Sequence, residues 1–164
     1  MSIVIPAHPS DEWRTPPELF LKLNSEFDFD LDAAATPENA LCQFYLTKED
    51  DALAPEWRKV GWPGERVWLN PPYGKQLKFW VEMARWQADM LGKLVVLLLP
   101  CHTAEKWFHE WIYDERNRPP HLPWGPCVSE VRFVRGRLKF TLPGEKCTSA
   151  RFPSAIVVMD GRAQ

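Results

Sequence analysis

Apolar positions along this chain follow two rhythms. In PELFLKLNS, Leu19, Phe20 and Leu23 recur at helical spacing, and in KQLKFWVEMARWQADML (75–91) Leu77, Trp80, Val81 and Ala84 form one stripe. Both stretches predict amphipathic helices. The first is expected to start with Thr15 as N-cap, Pro16 at the first helical position and Glu18 three residues past the cap. The second is expected to close at Gly92. TAEKWFHEWIYDE (103–115) predicts a third helix. In FDFDLD the period is two, with Phe27, Phe29 and Leu31 inward and Asp28, Asp30 and Asp32 outward. That pattern predicts a short strand ending at Asp32, then a loop and a helix near Thr36 and Pro37. CQFYLT (42–47), ending at KEDD, and VWLN (67–70) predict two more strands. KLVVLLLP is apolar without a break, as in a strand buried on both faces of a parallel sheet. EVRFV and RLKFTL predict a hairpin around Arg135 and Gly136, and SAIVVMD a final strand.

Strands alternating with helices, then a hairpin-like ending, predict an α/β layered fold with a largely parallel sheet and antiparallel strands near the C-terminus. Residues 1–12 carry no periodicity and are expected to be a flexible lead, with 13–164 forming one domain. Ligands of open sheets bind outside the carboxyl ends of the strands. Three polar strand tips meet that description: Asp32, the KEDD segment, and Asn70 to Tyr73. They are expected to converge.

Composition narrows the class. With 164 residues, 45% hydrophobic and 26% charged, the chain can bury a substantial core. No stretch approaches the roughly 20 apolar residues of a membrane span, and the start lacks the layout of a signal peptide, so a cytoplasmic location is expected. The net charge of −2 argues against a protein that coats nucleic acid, so contact with DNA would need a local patch. Arg132, Arg135, Arg137 and Lys139 make the densest positive cluster, and Lys75 and Lys78 follow the Asn70–Tyr73 loop. Cys42, Cys101, Cys127 and Cys147 are widely spaced without a nearby histidine cluster, and are read as reduced, mostly buried thiols with no metal site. His102 and His109 lack partner spacing and are read as surface or helix residues.

The loop Asn70-Pro71-Pro72-Tyr73 carries the sharpest chemistry. Two prolines end the strand Val67–Leu69, since neither can donate to a ladder, and the first pushes Asn70 into an extended conformation. Asn70 offers a side-chain carbonyl beside the Pro71 carbonyl. Two rigid acceptors suit a planar amino group with two hydrogens to give. Tyr73 offers a flat face on which a base can stack. The electrophile would come from a cofactor at the other tips.

The ordered set W-R-T-P-P, L-D-A-A-A, D-D-A-L, W-L-N-P-P-Y-G and G-R-L-K-F resembles the phage-type DNA N6-adenine methyltransferases, over residues 11 to 160. The resemblance implies a reduced Rossmann-like fold and S-adenosylmethionine as cofactor. It also implies methyl transfer to N6 of adenine in double-stranded DNA. Position by position it implies catalysis at Asn70, Pro71, Pro72 and Tyr73, and cofactor binding at Thr15, Pro16, Asp32, Ala33 and Asp51. The local positive charge, rather than the resemblance, assigns contact with DNA to Lys75, Arg135, Arg137 and Lys139. The chain departs from larger methyltransferases in having AAATPEN where they carry a glycine-rich loop; Glu38 or Glu49 could serve as the ribose ligand. The same motif also serves enzymes acting on protein glutamine or RNA bases, and a non-catalytic nucleic-acid-binding module is a further reading.

Overall fold

A computed structural model describes residues 13–51, 53, 57, 63–114, 116, 125, 127–141 and 147–162. Residues 1–12 and most of the proline-rich stretch 119–126 lie outside them. Helix α1 (Pro17–Phe27) leads to strands β1 (Leu31–Asp32) and β2 (Phe44–Tyr45), a 3-10 turn at Lys48–Asp50, and β3 (Arg66–Leu69). Helix α2 (Leu77–Leu91), β4 (Leu94–Pro100) and α3 (Lys106–Phe108), which continues as a π-helical turn over His109–Tyr113, come next. The chain then forms β5 (Val128–Phe133), β6 (Lys139–Phe140), β7 (Thr148–Ser149) and β8 (Ser154–Asp160).

Six strands form one sheet in the order β2-β1-β3-β4-β8-β5. The first four are parallel, and β8 runs antiparallel to both β4 and β5. The expected α/β fold with antiparallel strands late in the chain is therefore present. The expected hairpin is not. β5 pairs with β8, while β6 pairs with β7 in a separate two-stranded sheet, and Arg135 and Gly136 turn the chain from one sheet to the other. Alternation placed the strands correctly but carried no information about their partners.

All seven residues of β4 are buried, which explains its unbroken apolar run. Successive side chains serve opposite faces. Val95, Leu97 and Leu99 join Val67 and Leu69 against Leu77, Val81, Ala84 and Ala88 of α2 and Trp107 and Phe108 of α3. Leu94, Val96 and Leu98 join Trp68 against Phe20 and Leu23 of α1, with Phe29, Phe140, Ile156 and Val158. Helices thus cover both faces. Gly92, with φ of 64°, closes α2 in the left-handed conformation, its N–H bonded to the Ala88 and Gln87 carbonyls. Gly161 lies so close to α2 that an added Cβ would sit 1.8 Å from the Ala88 carbonyl oxygen. Arg85 Nη2 of α2 also donates to Asp114 Oδ2, just after the π-helical turn, at 2.9 Å.

Three local expectations differ from the structure. α1 begins at Pro17 with Pro16 at the N-cap position and no side-chain cap, and the Thr15 hydroxyl accepts from Asn70 Nδ2 instead of capping the helix. Thr36 starts a single turn, accepting from the Asn39 and Ala40 N–H groups, instead of a helix. Asp32, expected to face outward, is only 3% exposed.

A candidate methyl-transfer site at the strand tips

β1, β2 and β3 are parallel neighbours, so the loops after Asp32, Tyr45 and Leu69 leave the same edge of the sheet. Backbone bonds lock the edge: Ala33 N–H donates to Trp68, and Leu46 N–H to Asp32. The three polar tips are brought together there.

Asn70 stands at the end of β3. Its Nδ2 donates to the Trp13 carbonyl at 2.6 Å and to Thr15 Oγ1 at 3.0 Å. A backbone carbonyl can only accept, so the amide group facing Trp13 must be the NH₂. Both hydrogens are thereby used, and the orientation of the amide is fixed. Asn70 Oδ1, on the other side, is shielded from solvent and accepts no hydrogen bond among the described residues. The Pro72 carbonyl accepts from Gly74 N–H at 3.1 Å, whereas the Pro71 carbonyl takes no hydrogen bond among the described residues.

Tyr73 is half-buried, and its hydroxyl donates to the Leu98 carbonyl at 2.9 Å. Burial holds the phenol well above its usual pKa, so it stays neutral. Its ring meets Phe152 at 5.3 Å and Phe140 at 6.3 Å, both edge-on. Trp13 packs against the same two rings at 5.4 and 5.5 Å. The segment that holds Asn70 and the ring of Tyr73 therefore share one aromatic anchor. Sequence reasoning missed Trp13, Phe140 and Phe152 here, since aromatic residues far apart in the chain carry no signal of meeting.

Asp32 is spent on its own loop. Its Oδ1 accepts from Ala34 N–H at 3.3 Å and its Oδ2 from Leu41 N–H at 3.1 Å, drawing residues 33–41 over the strand tip. Burial, only partly offset by these bonds, raises its pKa to about 6. Ala33 is fully buried and Ala34 half-buried. After β2, Thr47 and Asp50 form a reciprocal cap, and Asp51, with φ of 49°, presents an exposed side chain. Glu38 and Glu49 are also exposed.

The basic cluster divides. Arg132 is taken up by Glu26 and Glu130, its Nη1 bonding Glu26 Oε2 at 2.6 Å. Arg135, Arg137 and Lys139 are exposed and bond no carboxylate among the described residues. They lie just before Thr141, whose carbonyl accepts from Arg14 N–H at 3.1 Å, between the two residues that hold Asn70. Lys75 is exposed at the far end of the proline loop. The expected thiol burial is partial: Cys42, Cys101 and Cys127 are half-buried and Cys147 is exposed. Desolvation pushes Cys42 up to about 12 and Cys101 upward as well, so both stay protonated. His109 Nε2 lies 2.7 Å from the Thr103 carbonyl, and the His102 ring packs edge-on against Phe152. No described helix is long and apolar enough to cross a membrane.

Residues 4–162 match the family described as DNA N-6-adenine-methyltransferase (Dam). The chain belongs to that family. Among curated relatives of this Dam-family chain, the DNA N-6-adenine-methyltransferase of Escherichia phage T1 is 36% identical over 101 residues, 61% of this chain and 40% of its own length. The protein of the same name from Haemophilus phage HP1 is 35% identical over 121 residues, 68% of this chain and 66% of its own. The putative methyltransferase YfdM of Escherichia coli K12 is 39% identical over 74 residues, 42% of this chain and 81% of its own. The chain thus spans less than two thirds of the length of the two phage relatives. No solved structure matches the chain significantly.

Proposed function

We propose that the chain transfers a methyl group from S-adenosylmethionine to N6 of adenine in double-stranded DNA. One observation carries the reading: in a Dam-family chain, the Asn70 amide is fixed with Oδ1 as a buried acceptor lacking a donor among the described residues. A buried polar atom left unpaired costs about 1–3 kcal/mol, which an arriving N–H relieves. The adenine amino group brings two. Asn70 Oδ1 and the Pro71 carbonyl take one hydrogen each, which draws the nitrogen lone pair out of the ring and makes it nucleophilic. After transfer the methylated nitrogen carries a positive charge and releases one proton to water, while Asn70 Oδ1 accepts from the N6–H that remains. Tyr73 offers the base a ring to stack on, worth roughly 1–3 kcal/mol. The base reaches these groups by leaving the duplex, and the contacts it gains offset a few kcal/mol of extrusion. Since Oδ1 is shielded, entry of the base also displaces what covers it.

S-adenosylmethionine, when bound, supplies an electrophilic methyl group and leaves as a neutral thioether. The residues at the β1 and β2 tips fit its nucleoside: exposed Glu49 and Asp51 can accept from hydroxyl or amino groups, and the short side chains of Ala33 and Ala34 allow close approach. Pro16, Ala33 and Asp51 would hold it directly, while Asp32 shapes the loop. Lys75, Arg135, Arg137 and Lys139 are proposed to contact DNA phosphates. The reaction would run in the cytoplasm of a bacterial cell.

Incubation with labelled cofactor and unmethylated DNA, followed by mass spectrometry of the nucleosides, tests the proposal. N6-methyladenine is expected as the product. A dominant N4-methylcytosine peak would overturn the base assignment. Label in protein or RNA alone would overturn the substrate.

A further inference from the structure

We infer that Thr15 is a positioning residue for Asn70. The inference rests on the adenine methyl-transfer reading and assigns a hydroxyl that the family resemblance alone would give to the cofactor.

The geometry is specific. The Asn70 side chain can rotate its amide by half a turn, which would exchange its acceptor for two donors at nearly the same shape. Only one orientation can accept from an adenine amino group. Two atoms 55 and 57 positions earlier receive the Nδ2 hydrogens, Thr15 Oγ1 at 3.0 Å and the Trp13 carbonyl at 2.6 Å, and of the two only the carbonyl is unable to donate. The Trp13 carbonyl forbids the flipped amide outright, because two oxygens would then face each other without a hydrogen between them. Thr15 Oγ1 takes the second hydrogen and sets the twist of the amide plane. The hydroxyl is available because Pro16, not Thr15, occupies the N-cap position of α1.

Residues 13–15 form a strap that is itself held at two points. Arg14 N–H bonds the Thr141 carbonyl at 3.1 Å, and the Trp13 ring lies against Phe140 and Phe152. The strap is therefore a fixed reference against which Asn70 is aligned, with β3 supplying the backbone and residues 13–15 the aim.

Thr15→Val removes the acceptor at nearly constant volume, and Thr15→Ser restores it. Single-turnover methylation, cofactor titration and thermal melting are measured on both. The loss of one neutral hydrogen bond predicts a single-turnover rate about five- to tenfold lower in Thr15→Val. Cofactor affinity should be unchanged, and Thr15→Ser should recover most of the rate. In protein labelled with ¹⁵N at asparagine, the Asn70 side-chain NH₂ signals should shift in the valine variant and return in the serine variant. That readout does not depend on activity, so it stands even if the wild-type protein methylates a different substrate. Absence of N6-methyladenine from wild-type reactions would instead remove the reading beneath the inference. Unmoved Asn70 signals, or a fall in cofactor affinity that accounts for the rate loss, would overturn the positioning role. If Thr15→Val fails to fold, normal rate and unmoved signals in Thr15→Ala would overturn it equally.

Discussion

Asp32 makes a pH-dependent demand on the fold. The carboxyl is 3% exposed and receives two backbone N–H groups, at 3.1 and 3.3 Å, yet burial outweighs them and raises its pKa from 3.8 to about 6. A raised folded value means that the folded protein binds this proton more tightly than the unfolded chain. Its contribution to stability is therefore complete below about pH 4 and disappears as pH rises through about 6. A difference of about two pKa units corresponds to about 3 kcal/mol. Chemical denaturation of the wild type and Asp32→Asn, repeated from acid to mildly alkaline pH, isolates that amount. The amide cannot ionise, and its mismatch with one of the two N–H groups is a constant offset that does not vary with pH. The stability of the variant minus that of the wild type should therefore climb by about 3 kcal/mol between acid and neutral pH. A flat difference, or one that falls with rising pH, would refute the reasoning. It would mean that the two N–H groups solvate the carboxylate well enough to keep it ionised, and that the loop of residues 33–41 is held by charge.

Other expectations are simpler to read. Asn70→Ala should abolish methyl transfer while cofactor affinity stays near that of the wild type; full activity by single-turnover assay would end the catalytic assignment. Reversing charge at Arg135 and Arg137 should weaken DNA binding and reduce the log–log salt slope by about 0.9 for each phosphate no longer neutralised, with cofactor binding untouched. An unaltered slope would place both side chains away from the duplex. Gly161→Ala should drive a methyl group into the Ala88 carbonyl, which α2 cannot move without leaving the sheet. A loss of about 1–3 kcal/mol, and a melting temperature several degrees lower, is expected. An unshifted melt would mean that the end of β8 can move away from α2 at little cost.

The sequence was most informative where one physical effect decides the outcome. LVVLLLP could only be a strand covered on both faces, and the two prolines after Asn70 could only end one. The partner of β5 was hidden, because an alternating strand near a tight turn satisfies a hairpin and an antiparallel edge strand equally well. Asp32 also escaped. Alternation with Leu31 sent it outward, but residues 33–41 fold back and bury it. The alignment of Asn70 was least legible of all. It depends on a main-chain carbonyl and a hydroxyl that doubles as a good helix cap, and neither leaves a mark at position 70. The motif pointed to Asn70, and tertiary structure alone supplies what orients its amide.

The placement of β8 has a consequence for how the protein is made. Leu97 pairs with Val157, sixty positions further along, and β8 then serves as the surface on which β5 docks. Until that segment has emerged from the ribosome, β4 lies with one bare edge and the most apolar sequence in the chain. Such an edge invites pairing with a neighbouring nascent chain. Fast translation or high expression should therefore trap this protein in aggregates through β4. A short peptide copying SAIVVMD, present during refolding, should compete with β8 for that edge and slow recovery of the native state.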